Sequence, residues 1–352
     1  MPTSLFSHTI AQNMKVDFKK YKIATIGSHS ALQILKGAKD EGFSTICVCQ
    51  KGQTRPYISY KVADEIIEID SFQHFFKVEK ELMARNAIVI PHGSFVSYLG
   101  WERVQELKCL HYGTKAILEW ESDRTKERQW LLKAGLNLPN VYKHPEDIGG
   151  PVIVKFHGAR GGLGYFIANT PKEFYERIKD YPHEKDYSIQ EYIVGVPVYA
   201  HYFYSRVTKE LEIMSFDKRY ESNADSIGRI AAKDQIDVGI KTSYTITGNI
   251  PLVVRESLLP KMFEMGENVV AASQPLCKGG LFGPFCLEMI IDKDLKFYVF
   301  EISARIVAGT NPYINGSPYT DLRYKEPMST GRRIARDIKE AISSGHIEKV
   351  LG

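Results

Sequence analysis

The chain has 352 residues, 43% of them hydrophobic and 25% charged, with a formal net charge of +4. That is an ordinary globular composition, long enough for two or three cores, and the small charge, without a local cluster, gives no argument for nucleic acid or membrane. No apolar run reaches membrane-span length, no leader-like pattern is read at the start, and the five cysteines form an odd set without zinc-ligand spacing. A cytoplasmic location and no structural metal are expected.

In the first region, to about residue 121, apolar strand patterns at 23–26, 44–50, 65–69 and 87–90 alternate with helical patterns at 31–41 and 72–85. Such alternation predicts an open parallel sheet, with ligands at the carboxyl ends of its strands. Two of those ends carry similar chemistry, Gly27-Ser28-His29 and Pro91-His92-Gly93-Ser94. Each offers a hydroxyl and an imidazole at a helix start, which suits a phosphate or ribose. The plain alternative is that the serines only cap helices and the histidines are solvated.

The middle region runs from about 122 to 199. Ser122 or Asp123 can cap a helix through Lys126 that stops at Gly135. Then comes strand, glycine loop, strand: an apolar run at 152–154, Lys155, a loop with Gly158, Gly161, Gly162 and Gly164, and a return at 165–168. Glycines let backbone N–H groups approach a phosphate, and Lys155 supplies a fixed charge beside it. An ordinary hairpin with a glycine-rich turn is the alternative. If the loop does cover phosphates, its amides should gain hydrogen-exchange protection when a nucleotide binds, because phosphate contacts would offset the entropy that four glycines in residues 157–164 must lose. Equal protection with and without nucleotide would remove that role. Residues 188–194 follow as an extended segment able to present backbone groups to an adenine edge.

In the last region, 200–352, paired strands are expected at 199–204 with 211–216, and at 285–291 with 297–302, and helices at 260–272 and 331–342. Glu288 and Glu301 lie on neighbouring, otherwise apolar strands. A carboxylate there is costly unless paired or metal-bound, and two together suit a hard divalent cation holding phosphate. The alternative is that both face solvent.

Taken together, Lys126 on a helix, Lys155 before a glycine loop, Gln190-Glu191-Tyr192-Ile193 before Gly195, and the Glu288/Glu301 pair resemble the ATP-grasp superfamily. Within it, the stretches around Gly27-Ser28-His29, Pro91-His92-Gly93-Ser94, Arg219-Tyr220-Glu221-Ser222, Thr247-Gly248-Asn249 and Glu301-Ile302-Ser303-Ala304-Arg305 resemble the archaeal formate-dependent formaminoimidazole-carboxamide ribonucleotide synthetases. The resemblance implies an α/β fold in three parts: a Rossmann-like domain (1–121), an ATP-grasp small subdomain with the glycine loop (122–199) and a large subdomain with the metal carboxylates (200–352). It implies a ligase that uses ATP and formate to formylate aminoimidazole-carboxamide ribotide through formyl phosphate, in a homo-oligomer, trimer or hexamer. ATP would be held by Lys126, Lys155, Gly161, Gly162, Gly164, Glu191, Tyr192, Ile193 and Glu221. The ribotide would be held by His29, Ser94 and Asn249, and Mg²⁺ or Mn²⁺ by Glu288 and Glu301. Catalytic roles would fall on Lys155 and Arg305. Ser303 stands where many ATP-grasp enzymes carry an asparagine, and a hydroxyl is the weaker ligand. Two alternatives remain: a related carboxylate–amine ligase with another acceptor, and a nucleotide-binding regulator without catalysis. The two metal carboxylates argue against the latter.

Overall fold

The computed structural model describes residues 17–156, 165–183, 186–240 and 242–352. Glycines 158, 161, 162 and 164 of the phosphate-loop expectation lie outside these residues. Among the described residues no helix is long and apolar enough to cross a membrane.

The first sheet is built from β1 (Lys22–Ile26), β2 (Ser44–Gln50), β3 (Glu65–Ile69), β4 (Ala87–Val89) and β5 (Leu110–His111). All pair in parallel, in the order β3-β2-β1-β4-β5. The helix α1 (Ala31–Asp40) follows β1, and the short α2 (Phe95–Leu99) follows the loop after β4. The pattern expected at 72–85 splits into a 3-10 turn, Phe72–Lys77, and a short helix, Glu79–Ala84.

The small sheet is antiparallel, in the order β6-β9-β7-β8: β6 (Val141–Tyr142), β7 (Val152–Phe156), β8 (Tyr165–Ala168) and β9 (Tyr187–Glu191). Val152, Val154, Phe166, Phe174 and Ile189 close its own core. The large sheet is antiparallel, in the order β12-β11-β10-β13-β14: β10 (Gly195–Tyr204), β11 (Leu211–Glu221), β12 (Ile246–Leu252), β13 (Gly283–Asp292) and β14 (Phe297–Ser303).

Alternation divides the large sheet into two faces. Ala200, Tyr202, Phe216, Phe285, Leu287 and Met289 turn one way. They pack with Met262, Met265 and Val269 of the long helix Leu259–Ser273 and with Trp130 of α3 (Arg124–Lys133). The Trp130 indole N–H donates to Val269 O at 3.0 Å. The opposite face carries Tyr199, His201, Asp217, Arg219, Glu288, Glu301 and Ser303.

Chain order and packing order differ around the two boundaries expected from sequence. The break at 199/200 falls inside β10, a continuous strand of the large sheet. Helix α3, placed with the small subdomain, packs on the large sheet instead. The C-terminal helix Thr330–Ser343 packs against α1, sharing a core of Ile23, Ile34, Ile88, Ile334 and Ile338. Each helix goes where its apolar stripe finds a partner, and that partner is not the nearest element in sequence.

Two histidines of the first sheet bear on stability. His92 and His111 are fully buried, and burial is the main reason their pKa falls from 6.5 to about 4 in each case. His92 Nε2 meets Ile26 O at 3.0 Å, and His111 Nδ1 meets Gly113 O at 3.1 Å. Both stay neutral in the folded chain, whereas the unfolded chain protonates them below pH 6.5, so their contribution is complete above that pH and is lost as pH falls toward 4. Between pH 7.5 and 5 each should cost roughly 2 kcal/mol. Urea unfolding at the two pH values should show this loss, and replacing His111 by Gln should remove about half of the part that these two histidines contribute.

Candidate active site

The polar face of the large sheet is ordered by register. Tyr199 on β10 stands opposite both Asp217 on β11 and Glu288 on β13, and Glu288 stands opposite Glu301 on β14, where a bulge follows. The two carboxylates therefore share one face, and the solvent-facing alternative does not hold for Glu288, which is buried. Arg219 lies over the Tyr199 ring at 3.9 Å and reaches across β10 to Glu288 Oε1 at 2.8 Å. Burial pushes Glu288 up to about 7, with Arg219 opposing and the charge of Glu301 adding to the rise.

Helix α3 closes the other side. Asp123 caps it, accepting from Thr125 N at 2.8 Å and Lys126 N at 3.0 Å. Arg124 Nη1 bridges Glu301 Oε2 at 3.0 Å and Glu127 Oε2 at 3.1 Å. Because β14 is an edge strand, its outward N–H groups need partners. Ile302 N donates to Glu127 Oε1 at 2.8 Å and Ala304 N to Glu121 Oε2 at 2.9 Å. Burial, helped by Glu301, raises Glu127 to about 8.

Lys155 enters this space from the small sheet. Its Nζ meets Gln190 Oε1 at 3.1 Å and lies 5.8 Å from the centre of the Phe300 ring. Desolvation lowers its pKa, opposed by Glu301. Lys126 does not join the cluster: it pairs with Glu119 and lies beside the Trp120 ring. Two residues apart, Arg124 and Lys126 leave the helix on nearly opposite sides, and the first-turn cation at the carboxylate pair is Arg124. Sequence reasoning passed over Arg124, Glu121 and Glu127; nothing in a polar first turn marks which charge points inward.

Glu191 ends β9, its Oε2 accepting from Asn140 N at 3.1 Å and Asn140 Nδ2 at 2.9 Å. Tyr192 and Ile193 follow in the link to β10, with Tyr192 exposed. Glu221 closes β11 on the same face as Arg219, and its pKa is raised by burial and Asp225. Arg305, just past β14, bridges Glu121 Oε1 at 2.6 Å. Its Nε and Nη1 are buried without a partner among the described residues, so the guanidinium keeps donors for an anion.

The two loops of the first sheet converge beside this face. The His29 and His92 rings stack at 5.5 Å and 4°, and Ser28 Oγ meets Tyr98 Oη at 3.0 Å. The two imidazoles differ: His92 is buried, accepting from Ser94 N at 3.3 Å, while His29 is exposed. Crowding by protein atoms, then the neighbouring His92 ring and the charges of Arg305 and Arg219, lower the pKa of His29 to about 3. A Cβ at Gly93 would lie 2.4 Å from His29 Nε2, so any larger residue there would displace the ring. Ser94 starts α2 without capping it by its side chain. On the far flank, Asn249 of β12 stands opposite Arg219.

Comparison with known proteins places this arrangement. Residues 174–352 match a family described as "Domain of unknown function (DUF1297)", and residues 23–142 one described as "Protein of unknown function (DUF1246)". The 5-formaminoimidazole-4-carboxamide-1-(beta)-D-ribofuranosyl 5'-monophosphate synthetase of Pyrococcus horikoshii is 56% identical over 337 residues, covering 94% of this chain and 99% of that protein. The protein of the same name from Methanocaldococcus jannaschii is 48% identical over 350 residues, covering 95% and 97%. The chain belongs to this synthetase family. The crystal structure of an IMP biosynthesis protein PurP from Thermococcus kodakaraensis superposes with a TM-score of 0.77 at 30% identity, covering 94% of this chain and 100% of that one. An N5-carboxyaminoimidazole synthetase from Staphylococcus aureus complexed with ADP gives a TM-score of 0.64 at 16% identity, a likeness of fold alone. The fold is ATP-grasp, preceded by a Rossmann-like parallel sheet.

Among the described residues no group of three or more His, Cys, Asp or Glu side chains forms a ready metal site. The synthetase chain offers two facing carboxylates, one of them with its pKa raised by burial and by its neighbour. A divalent cation between them would relieve that repulsion and fill its remaining oxygen positions with phosphate and water, so the donor set fits a cation that arrives with nucleotide.

Proposed function

We propose that the chain is an ATP-dependent carbon–nitrogen ligase that formylates aminoimidazole-carboxamide ribotide with formate, in purine (IMP) biosynthesis. The observation that carries this is the juxtaposition of two half-sites. The Glu288/Glu301 face with Arg124, Arg219 and Lys155 suits a transferring phosphoryl group, and the His29 crevice opens beside it, within reach of the charges of Arg219 and Arg305.

Formate is a poor electrophile. One of its oxygens attacks the γ-phosphorus of ATP, the bond to the bridging oxygen breaks, and ADP leaves with formyl phosphate formed. The ribotide amine then attacks the formyl carbon, phosphate leaves, and the amine gives up one proton. Such chemistry asks for positioning and charge more than for covalent help. Lys155 and the amides of Gly161, Gly162 and Gly164 hold the phosphates, with Arg124 as the helix-borne cation beside them. Glu191, Tyr192 and Ile193 line the adenine and Glu221 the ribose. Arg305 uses its unpaired donors on the formyl group. His29 and Ser94 hold the ribotide, with Asn249 near its base. Glu288 and Glu301 hold Mg²⁺ or Mn²⁺, which supplies Lewis-acid stabilisation of phosphoryl oxygens when bound. A trimer or hexamer is part of the same reading.

The test is ADP release with formate against a panel of amines. Dependence on the ribotide together with formate supports the assignment. Release driven by another amine moves the reading to a sister ligase, leaving the ATP roles intact.

A further inference from the structure

The centre of the large sheet holds a polar pair that the phosphoryl chemistry does not use. Asp217 is wholly buried and His201 almost so, and His201 Nε2 meets Asp217 Oδ1 at 2.7 Å. Such a pair is costly in a sheet core, and replacing it by apolar residues would cost the fold little. The other oxygen of the same carboxylate, Oδ2, accepts from Asn249 Nδ2 at 2.8 Å. The segment Ala308–Tyr313 covers the pair so closely that a Cβ at Gly309 would lie 2.1 Å from Asp217 Oδ1 and 2.6 Å from His201 Nε2. That segment also carries Asn311, whose Nδ2 donates to His29 O at 3.2 Å.

A carboxylate oxygen that accepts a hydrogen bond meets the NH₂ end of a neighbouring amide and so fixes which way that amide lies. Asp217 takes the Asn249 NH₂ group and thereby leaves Asn249 Oδ1 as the end of the amide turned away from Asp217. Without that contact the amide could rotate and offer either a donor or an acceptor. His201 occupies the second oxygen of Asp217 and keeps the carboxylate aimed.

We infer that Asp217, aimed by His201, is a positioning residue that presents Asn249 Oδ1 as a fixed hydrogen-bond acceptor, so that this part of the acceptor site selects an N–H donor on the base of the ribotide. This rests on the reading of Asn249 as a ribotide contact and adds the direction of that contact and the groups that set it.

The test compares wild type, Asn249→Ala, Asp217→Asn and the exchange Asp217→Asn/Asn249→Asp, reading KM for ribotide, KM for ATP and thermal melting. Asn249→Ala and Asp217→Asn should each raise the ribotide KM about tenfold or more, with the ATP KM within about twofold. The first removes the acceptor; in the second, an amide at position 217 is free to offer a donor and turn Asn249 around. The exchange restores an amide–carboxylate pair and keeps an acceptor at position 249, so its ribotide KM should return to within about threefold of wild type. The inference falls if Asp217→Asn melts like wild type and saturates with ribotide unchanged, or if the exchange is as impaired as Asn249→Ala. Should Asp217→Asn fail to fold, the exchange against Asn249→Ala decides alone. A wild-type enzyme that does not formylate the ribotide, or an Asn249→Ala variant with normal ribotide saturation, instead overturns the underlying reading.

Discussion

Replacing Glu301 by Gln is expected to abolish turnover while leaving the fold in place. Glu301 faces Glu288 across β13 and β14, and its charge is part of what a cation between them would feel. A neutral amide keeps the shape and loses the anion, and with it several kcal/mol of phosphoryl-charge stabilisation, so ADP release at ordinary magnesium should fall by about a hundredfold or more. The structural cost is small. The side chain is 35% exposed and its partner Arg124 keeps Glu127, so roughly 1 kcal/mol or less of stability is at stake. Melting should therefore stay within a few degrees of wild type. Near-normal ADP production by this variant would remove the metal assignment and the phosphoryl chemistry built on it.

His29→Ala is expected to act on the other substrate. The imidazole is neutral, its pKa lowered to about 3, and Nδ1 is engaged by Ser30 Oγ at 2.9 Å, which leaves Nε2 facing Gly93 and the crevice. Losing one hydrogen bond to a charged phosphate costs about 1.5–3 kcal/mol, so the ribotide KM should rise very roughly ten- to a hundredfold. The ATP KM should barely move, because the nucleotide face is built on the other two sheets. Gly93→Ala, which drives a methyl group against Nε2, should reproduce the shift with His29 itself unchanged in sequence. Unchanged ribotide saturation in the His29→Ala enzyme would sink this role and leave the ATP half standing.

Much of the fold could be read from local pattern. β2 and β3 fall at 44–50 and 65–69 as the apolar runs predict, and the paired strands carrying Glu288 and Glu301 are there, because burial on one or both faces leaves a period that short segments display directly. Where polar residues interrupt the pattern, the reading stops short. β11 runs on through Asp217 to Glu221, and β12 contains Gly248 and Pro251, breakers that an edge strand tolerates. Asp217, Arg219 and Glu221 do alternate, which marks one face of a strand, but only the extension of β11 gives that alternation meaning.

By itself the sequence determined the residue types of the site and the strands that bear them: Lys155 at the end of an apolar run, the two carboxylates, and the two loops with His29 and Ser94. Tertiary structure alone decided which of these meet. Arg219 reaches Glu288 only because register sets Tyr199 between them as a platform, and Arg124 rather than Lys126 reaches Glu301 because α3 docks on the large sheet with one flank inward. Likewise His92 becomes structural and His29 accessible, two like residues separated by burial. Periodicity is a property of a few neighbouring residues and is written in the chain. Register, docking and burial depend on partners far away in sequence, and so they appear only once the sheets are assembled.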